Sequence, residues 1–118
     1  MTETLLRRLS TLTDIAIDPA LWLYEVVNAT ELAVRKGRIT AEKADAFLES
    51  LADLPIEIEN PALLRIFVSV RALVGQYKLT AYDTSYLELA IRHSLPIATS
   101  DKALAKAAQA AGVNLVEV

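Results

Sequence analysis

The sequence predicts an α/β domain in which a parallel β-sheet is covered by helices. Short segments with β-like alternation are separated by longer segments with helical spacing, and capping or turn residues stand between them. Hydrophobic residues make up 53% of the 118 residues, which is enough for one continuous core. Because parallel strands need crossover connections, this alternation favours right-handed helical crossovers. We therefore expect residues 1–118 to form a single domain.

The first third of the chain predicts a helix, a short strand and a long helix. Leucines recur at helical spacing within residues 3–12, and residues 14–17 then alternate between polar and apolar. Asp18 suits the N-cap of the next helix and Pro19 suits its first helical position. We expect that helix to end at Gly37, because glycine is favoured just beyond a helix end.

The middle of the chain predicts two further helices with a strand between them. Thr40 suits the N-cap of the first, and Pro55 follows its end and precedes a short alternating strand at residues 56–58. The pair Asn60-Pro61 repeats the pattern of a cap followed by proline. The apolar face that follows predicts a helix that ends at Gly75.

The last third predicts a regular alternation of helix and strand. A helix begins at Thr80 and extends to about Arg92, and Pro96 leads into a strand at residues 97–99. An alanine-rich helix is expected over residues 102–111. The final segment, residues 113–118, has the apolar alternation of a strand.

Composition excludes several classes of protein. The chain has no cysteine, so it forms neither a disulfide framework nor a thiolate metal site, and the cytoplasm is the expected location. The formal net charge of -3 does not indicate a surface for polyanions. No apolar run is long enough to span a bilayer, so no membrane association is expected.

Three carboxylates are placed where ligands bind in parallel α/β sheets, beyond the carboxyl ends of the strands. Glu25 lies two turns into the long helix, and Asp83 lies in the first turn of a later helix. Asp101 follows the strand at residues 97–99. We expect these side chains to reach one cleft.

Capping is the alternative interpretation for two of these acids. Thr80 and Asp83 have the spacing of a capping box, and Ser100 and Asp101 could cap the helix that follows them. Acidic residues in a first helical turn also complement the helix dipole. For either aspartate taken alone, capping is favoured.

The neighbours of Glu25 and Asp83 at helical spacing favour a metal site instead. Each acid interrupts a largely apolar stripe, and neither stripe contains Lys or Arg. The stripe residues are Leu21, Asn28 and Leu32 for the first acid and Leu87, Ala90 and Ile91 for the second. A buried carboxylate is costly unless it is paired or binds a metal, and Mg²⁺ prefers oxygen ligands.

Three segments resemble the acidic motifs of one protein family. The segment PALWLYEVVN at residues 19–28 resembles the second motif of PIN-domain ribonucleases of the VapC toxin type. Residues 79–90, LTAYDTSYLELA, resemble the third motif, and residues 95–104, LPIATSDKAL, resemble the fourth. Their order and spacing agree with the family over nearly the whole chain, so the resemblance implies a PIN-like fold.

The resemblance also implies an activity and its residues. Glu25, Asp83 and Asp101 would be the catalytic acids that bind Mg²⁺ or Mn²⁺, and Asn28 and Thr99 would support them. The metal would activate a water molecule for hydrolysis of RNA phosphodiester bonds. The implied partners are an RNA substrate and a cognate antitoxin protein.

The sequence departs from the family pattern at its beginning. PIN domains usually open with a central strand that ends in the first catalytic aspartate, and this strand is missing here. Neither Asp14 nor Asp18 is assigned to that role. We expect a truncated chain, a degenerate relative or a homodimer that repairs the gap. We also expect RNA cleavage by this chain to be weak or absent, since one acid and one central strand are lacking.

Two other functions remain open. A catalytically inactive PIN relative would act as a protein-binding module, and the missing first acid favours that alternative. A response-regulator-like or small-molecule-binding domain would share the fold class, but no residue pattern supports it.

Overall fold

A computed structural model describes residues 16–116, which adopt an α/β arrangement. The described residues form two compact units, one ending at Glu59 and the other beginning at Asn60. The helix expected at residues 3–12 lies outside the described residues. The first unit contains β1 (Ala16–Pro19), α1 (Ala20–Arg35), α2 (Ala41–Ala52) and β2 (Ile56–Glu59). The second contains a π-helix (Arg65–Val70), α3 (Arg71–Tyr77), α4 (Ala81–His93) and α5 (Lys102–Ala110).

The first unit is built on a pair of parallel strands. β1 pairs with β2 from Ala16 opposite Ile56 to Pro19 opposite Glu59. Helix α1 packs against β1, and α2 packs against α1, so the two helices form the crossover between the strands. The predicted parallel pairing is confirmed here. The whole sheet is smaller than expected, since the described residues contain only this two-stranded sheet and one isolated bridge.

The start of α1 differs from the prediction. Asp18 is not the N-cap, because β1 extends through it and pairs it with Ile58. Pro19 is the N-cap instead, with φ -63° and ψ 153°, and no side chain caps the helix there. Burial raises the pKa of Asp18 from 3.8 to about 6. Protonated Asp18 therefore stabilises the fold. This contribution to the free energy of unfolding is fully present below about pH 4 and is lost as the pH rises through about 6.

The remaining helix boundaries of the first unit follow the sequence closely. Helix α1 ends at Arg35, and Gly37 takes the positive φ of 70° that glycine adopts readily. The Thr40 hydroxyl accepts a hydrogen bond from the Lys43 N–H at 3.2 Å, so the predicted cap of α2 is confirmed. Strand β2 begins directly after Pro55, as predicted.

The first helical segment of the second unit was predicted less well. It becomes helical at Leu63 rather than at Asn60-Pro61, and it passes through a π-helix before α3. Gly75 does not end it. Lys78 provides the left-handed conformation instead, with φ 59°, and its N–H donates to the Val74 carbonyl at 2.9 Å. The helix continues through glycine because the next turn retains its backbone hydrogen bonds.

The core of the second unit lies around α4. This helix contacts the π-helix, α3 and α5. The buried apolar cluster consists of Leu87, Ala90, Ile97, Leu104, Ala107, Ala108 and Val113. The predicted strands at residues 97–99 and 113–118 are reduced, within the described residues, to a parallel bridge between Ile97 and Leu115. Residues 117 and 118 lie outside the described part. Among the described helices, none combines the length and the apolar character needed to cross a membrane.

One buried carboxylate lies beside this core. Glu88 on α4 is only 5% exposed. Its two oxygens accept hydrogen bonds from Arg92 Nε at 2.8 Å and Nη2 at 2.9 Å, in a bidentate arrangement. Arg65 of the π-helix places Nη1 3.5 Å from the same carboxylate. The pairing offsets the cost of removing the charge from water, and it joins α4 to the π-helix.

We predict that Glu88→Ala lowers the free energy of unfolding by about 3 kcal/mol, because it leaves the Arg92 guanidinium without its buried partner. Arg65→Ala is expected to cost less than about 1 kcal/mol, since 44% of the Arg65 side chain is exposed. Urea unfolding measures both effects. Glu49→Ala on α2 is the control for loss of an exposed carboxylate. A Glu88→Ala variant as stable as this control would contradict the prediction.

Candidate functional site

Asp101 begins helix α5. Its Oδ2 atom accepts a hydrogen bond from the Leu104 N–H at 2.8 Å, which makes Asp101 the N-cap. The capping interpretation is therefore confirmed for this residue. Asp101 is exposed, and no partner for its Oδ1 atom is found among the described residues. One carboxylate oxygen holds the helix start, and the other is not used by the cap.

Thr99 lies next to Asp101 and contacts its backbone. The Thr99 hydroxyl oxygen accepts a hydrogen bond from the Asp101 N–H at 3.0 Å. This bond closes the short turn that leads from the Ile97 bridge into α5. Thr99 is half-buried. The structure therefore brings Thr99 and Asp101 together, with Thr99 orienting the backbone from which the Asp101 side chain extends.

Asp83 occupies the first turn of α4. Its N–H donates to the hydroxyl of the N-cap Thr80 at 3.1 Å, which is one half of the predicted capping box. The fully buried Thr84 donates its hydroxyl to the Thr80 carbonyl at 2.6 Å, which fixes the same turn. The Asp83 side chain is half-buried, and its carboxylate has no partner within residues 16–116.

Glu25 and Asn28 lie on α1 in the first unit, and both are exposed. The expectation that Glu25 faces inward along a packed stripe is wrong, because Glu25 itself is exposed and Leu32 on the same stripe is 47% exposed. Thr30 is the buried residue of α1, and its hydroxyl donates to the Val26 carbonyl at 2.7 Å. Apolar residues occur on several sides of α1, so spacing alone did not identify the side that packs.

The predicted acids are divided between the two units. Asp83 and Asp101 lie at the beginnings of α4 and α5, two helices that pack together, whereas Glu25 lies in the first unit. Carboxylate oxygens suit Mg²⁺. However, residues 16–116 contain no group of three or more His, Cys, Asp or Glu side chains arranged to hold a metal ion. A metal site shared by the three acids therefore stays a prediction.

Two acidic residues have environments that the sequence analysis did not identify. The four-residue spacing of Glu88 and Arg92 on a predicted helix is a signal for an ion pair, but the participation of Arg65 depends on the fold. Asp18 ends up at the carboxyl end of β1 with a raised pKa, although its position before Pro19 indicated a cap. Glu88 lies within the segment that resembles the third PIN motif, residues 79–90, whereas Asp18 lies outside the three segments.

Comparison with known proteins gives no assignment. No family model matches the chain, and no curated protein is significantly similar to it. The PIN resemblance therefore rests on the three motif segments alone.

Two substitutions of Asp101 test its role as the N-cap of α5. Asp101→Ala removes the cap and is expected to lower the free energy of unfolding by about 1 kcal/mol, whereas Asp101→Asn retains an oxygen acceptor and costs less than about 0.5 kcal/mol. Thermal or urea unfolding of the two variants measures this difference. Equal losses for Ala and Asn would contradict a capping role and indicate that the charge itself stabilises the fold.

Proposed function

We propose that this chain is a PIN-type, metal-dependent endoribonuclease, the toxin component of a toxin–antitoxin pair. The observation that carries the proposal is the presence of three acidic motifs in the family order, around Glu25, Asp83 and Asp101. The metal of such an enzyme would be Mg²⁺ or Mn²⁺, and the substrate would be RNA.

The environments of two of the acids support this proposal. Asp83 and Asp101 are fixed at helix starts by hydrogen bonds from and to the backbone, so their main-chain positions are well defined. Each has a carboxylate oxygen without a partner in the described part of the chain. Functional side chains held on rigid elements are positioned more precisely than those on loops. Asn28 and Thr99 are proposed to support the acids, and Thr99 already contacts the Asp101 backbone.

A catalytically inactive protein-binding module is the second candidate function. The specific observation in its favour is that the described residues do not assemble three metal-binding side chains. Large apolar side chains are also exposed, among them Leu63 and Phe67, which is a feature of surfaces that bind other proteins. The two functions differ in whether RNA is hydrolysed.

The proposed partners follow from the same assignment. RNA would be the substrate, an antitoxin protein would be the inhibitor, and the active form would be a homodimer in the cytoplasm. The exposed apolar residues support association with another protein chain, whether that chain is a second copy or an antitoxin.

We predict slow RNA cleavage that requires Mg²⁺ or Mn²⁺ and stops in EDTA. Asp83→Asn should lower the rate by about a hundredfold, because the loss of one anionic ligand misplaces the attacking water. Glu25→Gln and Asp101→Asn should have effects of the same order. The measurement is the initial rate of cleavage of a labelled RNA pool by the purified 118-residue chain.

Asp45→Asn is the matched control, since Asp45 is an exposed acid on α2 outside the three motifs. Cleavage that persists in EDTA, or that is equal in Asp45→Asn and Asp83→Asn, would contradict the assignment of the site. A complete absence of metal-dependent cleavage would favour the binding module.

A further inference from the structure

The beginning of the helical segment in the second unit presents an apolar surface to solvent. Leu63 is 71% exposed, Leu64 74%, Phe67 62% and Val68 63%. We call these four residues the Leu63–Val68 patch. Isolated exposed apolar residues are common on proteins, but four within six positions form a contiguous surface. The patch extends into the π-helix, a rare conformation that occurs frequently at functional sites.

An open cleft adjoins this patch. It has a volume of about 310 Å³, and it is formed entirely by residues of the second unit. It is lined by Ile66, Phe67, Val70, Arg71, Val74 and Ala81, all of them apolar except Arg71. Phe67 belongs to both the patch and the cleft. The surface is therefore concave where it meets Arg71, and it offers a recess for an apolar side chain.

The charge around the patch is opposite to that of the chain as a whole. Residues 60–82 contain three of the 12 basic residues, Arg65, Arg71 and Lys78, and none of the 15 acidic residues. Arg65 faces the buried Glu88. Arg71 is exposed, and no ion pair is found for it within the described residues. A cation without a partner at the edge of an apolar cleft is complementary to a carboxylate beside an apolar side chain.

We propose that the Leu63–Val68 patch and the adjoining cleft bind an acidic amphipathic helix of a partner protein. Apolar side chains on one face of that helix would cover the patch and enter the cleft at Phe67, and a flanking Asp or Glu would pair with Arg71. Helices recognised in this way present anchors at positions i, i+3, i+4 and i+7. The proposal does not rest on the proposed ribonuclease activity, and its test does not involve RNA.

Other occupants fit the surface less well. RNA requires several cations, and here Arg65 is already near Glu88, so Arg71 would be the main phosphate contact. A membrane surface would not use the concave cleft. A second copy of the chain could offer acidic α2, but the apolar side of α2 buries Ala44 and Leu51 within its own unit, where it packs on α1.

The experiment measures binding of stapled, fluorescently labelled peptides to the full chain by anisotropy. One set carries leucines at i, i+3, i+4 and i+7 with glutamates on the flanks, in several registers, and a matched set replaces every glutamate with lysine. The acidic set should bind at least about tenfold more tightly than the lysine set. Arg71→Glu should reverse this preference, and Phe67→Ser should weaken the acidic peptides about tenfold.

Arg38→Glu provides the matched control, because Arg38 is exposed and belongs to the first unit. It changes the net charge of the chain as Arg71→Glu does, and it should leave the preference for acidic peptides intact. Circular dichroism checks that each variant is folded. Equal binding of both peptide sets, no binding in any register, or equal effects of Arg38→Glu and Arg71→Glu would overturn the proposal. Concentration-dependent sedimentation that Phe67→Ser abolishes, without peptide binding, would identify a second copy as the occupant and also overturn it.

Discussion

A carboxylate removed from water determines how the second unit packs. Glu88 is next to Leu87 in sequence, and both are buried, so α4 is covered on a broad side rather than along a narrow stripe. The charge is tolerated because Arg92, one turn later, binds both carboxylate oxygens, and Arg65 approaches from the π-helix. This arrangement fixes the rotation of α4 against its neighbours. It also fixes the π-helix, whose exposed residues form the apolar patch.

The positions of Asp83 and Asp101 depend on this packing. Each lies at the start of a helix that contributes to the core, and each is held by capping hydrogen bonds. Capping and metal binding are often treated as alternatives for such residues. They are compatible here, because a carboxylate has two oxygens and the Asp101 cap uses only Oδ2. A cap thus provides the rigid position that a metal ligand requires, and confirming the cap does not exclude the proposed site.

The sequence predicted those features that depend on a few neighbouring residues. The caps at Thr40 and Asp101 were correct because the side chain and the N–H that it accepts from are three residues apart. Features that depend on distant contacts were not predicted. Pairing with β2 keeps Asp18 in a strand. The exposure of Glu25 was missed because α1 has apolar residues on several sides. Whether Glu25 binds the same ion as Asp83 and Asp101 depends on the distances between residues far apart in sequence, which local patterns do not encode.

The central proposal is that Glu25, Asp83 and Asp101 bind one divalent ion, and paramagnetic broadening by Mn²⁺ tests it most directly. Substoichiometric Mn²⁺ added to the ¹⁵N-labelled chain should broaden the amide resonances around all three residues together, because broadening is confined to groups near the ion. Excess Mg²⁺ should reverse it, and Asp83→Asn should weaken it at all three positions. Broadening around only one of the acids, or none that is selective for them, would contradict a shared metal site.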